Sequence, residues 1–313
     1  MKAPHLMNAF SSSKFLRAKE SDSAYADTSL GQESTGLPIG EIMGQANNLS
    51  PDQIQQVLTY QLENGGRFGE AAIALGLASS DDVLWALSQQ FHYPYLQETE
   101  NPLHTDLVVV RKPFSDQAEA FRTMRSHLIM KMFNAPTQTR HALAVLSPDH
   151  GDGKSFFAAN LAAAFSQLSG RTLLIDADMR KPRQHDIFAL KDNGLGLSSI
   201  LTGRATSRAI HLVPQLPNLY VLPVGVVPPN PLELIERPAF GLMLRTLLTK
   251  FDRIIVDTPA ASQGADGAVI AAKCGAAALI ARRDQSRLTA LQNIVNTISM
   301  GNTKIVGSII NEF

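Results

Sequence analysis

A glycine-rich segment that also carries a lysine and a serine, SPDHGDGKSFF at residues 147–157, contains the residue types that bind phosphate. Gly151 and Gly153 allow the backbone to wrap closely around phosphate oxygens, with the loop amides pointing inward at the start of a helix. Lys154 would place its ammonium group on the β- and γ-phosphates, and the hydroxyl of Ser155 would reach Mg²⁺. The segment therefore predicts a site for a nucleotide and its metal ion.

This loop departs from the usual phosphate-binding pattern at its first position, where Pro148 replaces a glycine. Proline there changes only the first bend of the loop. The context supports the motif, because an apolar run precedes the loop and an alanine-rich amphipathic stretch follows it. The alternative is a glycine-rich turn that caps an ordinary helix and leaves Lys154 and Ser155 on the surface.

Carboxylates follow two other apolar runs of the chain. LLIDADMR (173–180) contains Asp176 and Asp178, and RIIVDTP (253–259) contains Asp257. Because the carboxyl ends of parallel strands share one edge of a sheet, we expect all three side chains near the loop. There they can hold Mg²⁺ and its waters or accept a proton from a nucleophile. The alternative is that each is a turn residue or a helix N-cap.

Short apolar runs alternate with helix-like stretches from residue 141 onward. The runs are HALAVLS, TLLIDAD, LYVLPVG, DRIIVDTP, AAALIA and KIVGSIIN. Such alternation predicts an α/β fold, a mostly parallel sheet with helices on both faces. A sheet of this kind would bring the loop and the carboxylates to one edge.

Composition excludes some classes of function. Lys plus Arg and Asp plus Glu both total 28 in the 313 residues, so no net charge attracts nucleic acid or anionic lipid, and no nucleic-acid partner is expected. The single cysteine, Cys274, excludes a disulfide framework and fits a reducing compartment. Since no run approaches the about 18 apolar residues of a membrane span, we expect a soluble, cytoplasmic protein.

Four segments are predicted along the chain. Residues 1–36 are rich in small and charged residues and predict a disordered tail. Residues 37–92 form a small helical N-terminal domain, and 93–112, with two prolines, form a linker. Residues 113–313 form the catalytic domain.

The helical domain contains an internal repeat. IGEIMGQANNLSPDQIQQVLTYQ (39–61) aligns with FGEAAIALGLASSDDVLWALSQQ (68–90) at an offset of 29 residues. Ser50 and the pair Ser79–Ser80 stand where helix N-caps belong. Each copy therefore predicts two short helices.

The catalytic region resembles the bacterial tyrosine kinases of polysaccharide export, of the EpsG type, which are relatives of the MinD/ParA ATPases. The resemblance is carried by SPDHGDGKS, LLIDADMRKPRQHDIF, NGLGLSSILTG, LPVGVVPPNPLELI, FDRIIVDTPA and IVGSIIN, and it extends from about residue 113 to the end. The first loop glycine is commonly replaced in this family, so the resemblance implies that Pro148 is tolerated and that the loop binds ATP with Mg²⁺.

The resemblance also implies roles for individual residues. Lys154, Asp176 and Asp178 form the catalytic set, in which the two carboxylates help coordinate Mg²⁺ and activate the incoming tyrosine hydroxyl. Ser155, Asp176 and Asp257 form the metal set, with Asp257 supporting the water shell of the ion. The implied nucleotide-binding set is Gly151, Asp152, Gly153, Lys154, Ser155, Phe156, Arg180 and Asn311.

Two members of that set are more distant from the loop in sequence. Arg180 is expected near a phosphate. Asn311 matches an asparagine that reads the adenine edge in related ATPases, a task for which an amide with a donor and an acceptor is suited. The alternative for Asn311 is a turn residue at the end of a strand.

A predicted amphipathic helix at residues 115–133 contains Glu119, Arg122 and Arg125. They match a Glu-x-x-Arg-x-x-Arg motif through which kinases of this family assemble into homo-oligomeric rings. The alternative is a solvated helix face with one Glu–Arg pair, worth only about 0.2 to 0.5 kcal/mol.

The tyrosines differ from the family pattern of a tyrosine-rich C-terminal tail. They are Tyr25, Tyr60, Tyr93, Tyr95 and Tyr220. The chain would thus phosphorylate another protein or an N-terminal tyrosine of its own, or act as a MinD/ParA-type ATPase switch that transfers nothing to tyrosine. The resemblance implies a separate membrane-spanning chain-length determinant as activator, which would hold the protein at the inner membrane.

The N-terminal repeat resembles the N-terminal domain of type II secretion and pilus-assembly ATPases, some of which bind cyclic di-GMP through paired motifs that begin Arg-Leu-Gly. The second copy reads RFG at 67–69, but the first reads PIG and lacks the arginine. Since arginine can stack on guanine or pair with phosphate, cyclic di-GMP binding and a plain docking role both stay open.

Overall fold

The computed structural model describes residues 38–46, 49–90, 103–133, 140–191, 194–205 and 207–312. The predicted tail at 1–36, part of the predicted linker, and Tyr25, Tyr93 and Tyr95 lie outside these residues. The described chain forms two compact units, one up to residue 90 and one from residue 103. Each is described by itself.

The described residues of the N-terminal unit form four helices. They are α1 (Ile39–Ala46), α2 (Pro51–Asn64), α3 (Phe68–Ala74) and α4 (Ser80–Gln90), two for each copy of the repeat. Ser50 accepts a hydrogen bond from the Gln53 amide, and the Gln53 side chain accepts one from Ser50 N, which makes a capping box. Ser79 and Asp82 make the same reciprocal bonds at α4, so Ser79 is the cap of that helix.

Two glycines at equivalent positions of the repeat allow the helices to approach closely. A Cβ added at Gly69 would lie 2.5 Å from Cγ1 of Val83, and one added at Gly40 would lie 3.2 Å from the Phe68 ring. Met43 and Val57 are fully buried in the core that this approach closes. The repeat therefore encodes packing between helices as well as the helices themselves.

The second unit is built on a seven-stranded sheet in the order β3-β4-β2-β5-β1-β6-β7. Its strands are β1 (Ala142–Leu146), β2 (Thr172–Asp176), β3 (His211–Val213), β4 (Leu216–Leu222), β5 (Arg253–Asp257), β6 (Gly275–Arg282) and β7 (Lys304–Asn311). All neighbours are parallel except the β3–β4 pair. The predicted α/β class is confirmed, and all six predicted runs are strands. The antiparallel edge strand β3 was not predicted, because three residues are too short to show a period.

Helices and short turns precede or connect these strands. They are α5 (Val108–Arg111), α6 (Asp116–Leu128), a π-helical turn (Ile129–Phe133), α7 (Lys154–Ser166), α8 (Gln184–Ile187), α9 (Leu197–Leu201), α10 (Pro231–Glu236), α11 (Pro238–Leu248), α12 (Asp266–Cys274) and α13 (Leu288–Ser299), with 3₁₀ turns at Ser207–Ala209 and Ala261–Gln263. Every residue of β1 and β2 is buried, as expected for a sheet covered on both faces.

The chain enters this unit earlier than predicted. The linker was expected to end at residue 112, but Leu103, Leu107, Val109 and Val110 are fully or almost fully buried. The amide of Val109 also donates to Oδ1 of Asn160 on α7 at 3.1 Å. The structure corrects the boundary, because this short apolar stretch packs on the sheet unit instead of linking to it.

The predicted helix at 115–133 is regular only to Leu128 and then widens into the π-helical turn. Ser115 caps its first turn by accepting a hydrogen bond from the Ala118 amide at 3.2 Å. The ring of Phe121 lies 5.9 Å from that of Phe156 and 5.8 Å from that of Phe157, measured between centroids. Helix α6 is thereby packed against the first turn of α7, directly behind the glycine-rich loop.

Candidate active site

The glycine-rich loop joins β1 to α7, which begins at Lys154. Gly151 and Gly153 have φ angles of 89° and 97°, in the left-handed region that favours glycine. A Cβ added at Gly151 would meet nothing within 4 Å, so it is the backbone conformation and not a lack of space that requires this glycine. The predicted strand, loop and helix arrangement is present.

Lys154 is folded into the loop. Its side chain is buried, and Nζ donates to Oγ of Ser147 at 2.9 Å and to the carbonyl oxygen of Asp149 at 3.2 Å. Burial lowers the pKa of Lys154, while nearby carboxylates, Asp257 first, act in the opposite direction. Both acceptors are neutral oxygens, and an anionic phosphate oxygen is a stronger partner for an ammonium group.

The sheet brings two of the predicted carboxylates side by side. Asp176 and Asp257 are register partners at the ends of the adjacent strands β2 and β5, and both are fully buried. Burial raises the pKa of Asp257 to about 6, although hydrogen bonds from Gln184 and Ser155 oppose this rise. Among the described residues, Oδ1 of Asp257 has no hydrogen-bond partner.

Asp176 has a different environment. Its Oδ1 accepts from the Asp178 amide at 3.1 Å, and its Oδ2 accepts from the amides of Arg183 and Gln184 at 3.2 and 3.0 Å. Burial and then the charge of Asp257 raise the pKa of Asp176 well above its usual range. Both oxygens therefore shape the turn after β2.

Asp178 lies in the same turn, closer to solvent. Its Oδ1 accepts from the amides of Arg180 and Lys181 at 3.1 and 2.9 Å. Its charge acts on both Lys154 and Asp257. The three predicted carboxylates and the predicted lysine thus share one site.

Gln184, at the start of α8, was missed by the sequence analysis. Its side chain is fully buried, and Nε2 donates to Oδ2 of Asp257 at 2.8 Å and to the carbonyl oxygen of Ser155 at 3.1 Å. It connects the loop, β5 and the turn after β2. A single glutamine in RKPRQHDIF carries no spacing signal, so only the folded chain identifies it.

The residues present fit a hydrated Mg²⁺ bound together with a nucleotide. The buried Oδ1 of Asp257, which no described residue hydrogen-bonds, lies in the same site as Ser155 and the loop. Within the described ranges, no three His, Cys, Asp or Glu side chains form a metal centre on their own. Mg²⁺ commonly takes one or two carboxylates and completes its shell with water and phosphate oxygens.

Curated proteins similar to this chain include CapB of Staphylococcus aureus, named "Putative tyrosine-protein kinase CapB", and CpsD of Streptococcus agalactiae, named "Tyrosine-protein kinase CpsD". CapB is 32% identical over 206 residues, which cover 66% of this chain and 89% of CapB. CpsD is 32% identical over 170 residues, which cover 54% of this chain and 74% of CpsD. The chain belongs to the bacterial tyrosine-protein kinases. No family model matches it.

Other members of this kinase family are much longer. The tyrosine-protein kinase Wzc of Salmonella typhi is 30% identical over 207 residues, and the match spans 28% of its length. Solved structures with this fold include two kinase-related examples. The chimerical protein CapA2B2 is 32% identical to this chain with a TM-score of 0.61, and the match covers 69% of this chain and 92% of that one. The kinase domain of the Escherichia coli tyrosine kinase ETK is 27% identical with a TM-score of 0.62, and the match covers 69% of this chain and 84% of that one.

Within this kinase fold, Arg180 and Asn311 lie beside the site in specific contacts. Nη2 of Arg180 pairs with the buried carboxylate of Asp266 at 3.0 Å. Nδ2 of Asn311, at the end of β7, donates to the carbonyl oxygen of Asp152 at 3.1 Å. The predicted contacts of Arg180 with phosphate and of Asn311 with adenine stay predictions.

The predicted assembly residues of this family member make contacts within their own chain. Arg122 pairs with Glu119 at 2.9 Å and also donates to the carbonyl oxygen of Pro113. Nη1 of Arg125 donates to the carbonyl oxygen of Ala164 on α7 at 2.7 Å. Glu119 is the exposed member, with 68% of its side chain accessible. Both arginines anchor α6 to the kinase unit, and a role in ring assembly stays a prediction.

Proposed function

We propose that this chain is an ATP-dependent protein-tyrosine kinase that regulates exopolysaccharide chain length and export. The observation that carries the proposal is the site itself, where the buried Lys154 of a Gly-Lys-Ser loop shares its surroundings with Asp257, whose Oδ1 has no hydrogen-bond partner in the part of the chain that the structure describes. Family membership supports the reaction class.

Positioning and charge carry this chemistry. Lys154 would hold the β- and γ-phosphates, and the loop amides of Gly151 to Lys154 would bind their oxygens. Ser155 and Asp257 would hold Mg²⁺, which supplies positive charge against the phosphates. Asp178 is the better candidate to accept the proton of the tyrosine hydroxyl, because Asp176 uses both of its oxygens for backbone amides.

We propose that neither Tyr60 nor Tyr220, the two tyrosines among the described residues, accepts the phosphate. Tyr60 is half-buried against the core of the N-terminal unit. Tyr220 lies within β4, with its ring 5.3 Å from that of Phe251. The acceptor is therefore Tyr25, Tyr93, Tyr95 or a tyrosine of another protein.

We also propose a membrane-spanning chain-length determinant as activator and a peripheral location at the inner membrane through it. None of the described helices is both long and apolar enough to cross a membrane. This proposal is supported by the sequence motifs that the chain shares with the tyrosine kinases of polysaccharide export and by its membership of the bacterial tyrosine-protein kinases.

The test is phosphopeptide mass spectrometry on the full chain, incubated with Mg·ATP and the cytosolic segment of the candidate partner. Phosphotyrosine is expected with the unmodified chain and should disappear with Lys154→Met. Lys250→Met is the matched control, since Lys250 precedes β5 at the end opposite to Asp257. Phosphotyrosine that persists in Lys154→Met would overturn the proposed site.

The second candidate function is an ATPase switch that binds a partner without phosphorylating tyrosine. It is favoured over a kinase that phosphorylates its own Tyr60 or Tyr220, because both tyrosines pack in folded elements. Release of inorganic phosphate without phosphotyrosine in the same reactions would establish the switch and remove the kinase.

Cyclic di-GMP binding by the N-terminal unit is a further hypothesis. Its one arginine, Arg67, precedes α3, and its amide donates to Oε2 of Glu70. An open groove of about 420 Å³ beside α2 is lined by polar and acidic side chains that include Asp52, Tyr60 and Glu63. Calorimetry on the full chain, with Arg67→Ala as the comparison, tests it, and an absence of heat at micromolar ligand would reject it.

A further inference from the structure

The segment between β6 and α13 approaches the glycine-rich loop through one hydroxyl group. Ser286 is held by its own turn, where its Oγ accepts from the Arg282 amide at 2.8 Å and its amide donates to the Arg282 carbonyl at 2.9 Å. The same Oγ donates to Oδ1 of Asp152 at 3.0 Å. A residue 134 positions away along the chain thus contacts the centre of the loop.

Asp152 is held from three sides. Besides the bond from Ser286, its Oδ2 accepts from the Asp149 amide at 2.7 Å, and its carbonyl oxygen accepts from Nδ2 of Asn311 at 3.1 Å. Only 3% of the residue is exposed. The Arg283 amide donates to the Asn311 carbonyl at 2.9 Å, so both anchors belong to one connected group.

A carboxylate in a loop that binds phosphate opposes binding, because its negative charge repels the anion. Here both carboxylate oxygens accept hydrogen bonds from the protein, and their charge also acts on Lys154. Meanwhile the flanking glycines at 151 and 153 make the loop backbone pliable. A pliable loop loses more conformational freedom on binding, and that loss weakens affinity unless the loop is already ordered.

We propose that Asp152 and Ser286 are positioning residues that hold the glycine-rich loop in its phosphate-binding shape. Residues 282–287 are therefore a second determinant of nucleotide affinity, although they lie outside the loop. The inference rests on the proposed function, since it requires that the loop binds ATP.

The experiment compares Ser286→Ala with Ser286→Thr in the full chain. Affinity for a fluorescent ADP analogue with Mg²⁺ and the KM and kcat of phosphate release are measured. Because a hydrogen bond to a charged group is lost, Ser286→Ala should weaken affinity and raise KM about tenfold. Its kcat should stay within about twofold, and Ser286→Thr, which keeps the hydroxyl, should restore the affinity.

Three results would overturn the inference. In the first, Ser286→Ala binds the ADP analogue as tightly as the unmodified chain does. In the second, Ser286→Thr binds it as weakly as Ser286→Ala. In the third, Ser286→Ala lowers kcat and leaves KM unchanged. Ser299→Ala is the matched control, because Ser299 is an exposed serine at the far end of α13. Failure of the unmodified chain to bind the analogue would instead reject the proposed function.

A second variant covers the case in which Ser286→Ala does not fold. Asp152→Asn keeps an oxygen that can accept from Ser286 but replaces the other with an NH₂ group that faces the Asp149 amide. We expect weaker nucleotide affinity at unchanged thermal stability. Affinity that rises in this variant would show that the charge of Asp152 opposes binding and that its bonds do not matter.

Discussion

The N-terminal helical unit and the edge of the kinase sheet use charge in opposite ways. Residues 38–90 contain six carboxylates and one arginine, and five of the acids lie in the first turns of helices; the acids are Glu41, Asp52, Glu63, Glu70, Asp81 and Asp82. These acids are exposed or half-buried, and the negative charges of the five in first turns interact favourably with the positive N-terminal end of the helix dipole. In the kinase unit Lys154, Asp176 and Asp257 are buried together.

This difference shows what each region is built for. A carboxylate at the start of an exposed helix contributes a few tenths of a kcal/mol at little cost. A carboxylate buried beside another one is destabilising until a cation neutralises it. The kinase edge therefore retains an electrostatic cost that a bound metal ion would relieve, whereas the helical unit has no such cost in its described residues.

The largest expected effect comes from Lys154→Met. The variant removes the cation that faces the phosphates, so we expect Mg·ATP affinity to fall roughly ten- to a hundredfold, the equivalent of about 1.5 to 3 kcal/mol. Equilibrium binding of a fluorescent ATP analogue measures it. Unchanged affinity would mean that the buried Lys154 contributes to folding but not to nucleotide binding. The buried charges of the kinase unit would then not differ in purpose from the exposed charges of the helical unit.

Asp257→Asn should impair phosphoryl transfer and yet stabilise the ligand-free protein. The folded pKa of Asp257, about 6, lies above its ordinary value of 3.8, so ionisation costs stability. That cost is absent below about pH 4, develops between about pH 4 and 6, and is complete above about pH 6. We expect a gain of about 1 to 3 kcal/mol at pH 7.

Urea unfolding of Asp257→Asn and of the unmodified chain at pH 4 and pH 7 measures this gain. The advantage of the variant should be present at pH 7 and should shrink at pH 4. An equal advantage at both pH values, or a loss of stability at pH 7, would contradict the buried charge as its cause.

Gly69→Ala tests packing in the unit whose charges lie on the surface. The added methyl group would lie 2.5 Å from Val83, and overpacking of this kind costs about 1 to 3 kcal/mol. The single tryptophan, Trp85, packs against the core of this unit, so its fluorescence during urea unfolding reports the change. The double variant Gly69→Ala/Val83→Ala should recover part of the loss, and strict additivity would argue against a clash.

The smallest expected effect is that of Ser50→Ala. Loss of the capping box at α2 should cost about 1 kcal/mol. Trp85 fluorescence during urea unfolding measures this loss of stability, and Ser80→Ala, at an exposed serine, is the control. Phosphoryl transfer should not change, and a loss of activity would show that the two units are not separable in function.

Local patterns predicted most of the fold. All six predicted runs are strands, because each is a short apolar run bounded by turn residues or helix-like stretches. Lys154, Ser155 and the three carboxylates could be identified because they stand directly after such runs. The capping serines were equally visible, since a cap and its partner are three residues apart.

Features that depend on distant parts of the chain could not be read in this way. The linker boundary was placed too late because the burial of Val109 and Val110 depends on α7, more than 40 residues further on. The roles of Gln184 and Ser286 were missed because their partners lie 73 and 134 positions away. The bond from Arg125 to the Ala164 carbonyl oxygen on α7 was equally invisible, because its two ends lie 39 positions apart.

The sequence by itself determined the class of the fold, the glycine-rich loop and the carboxylates at the ends of strands, because periodicity and spacing are local properties. The tertiary structure alone decided that β2 lies beside β5, so that Asp176 and Asp257 become register partners. It also decided which of their oxygens are bonded and which hydroxyl holds the loop. Those choices follow from strand order and packing, which bring together residues that no local pattern connects.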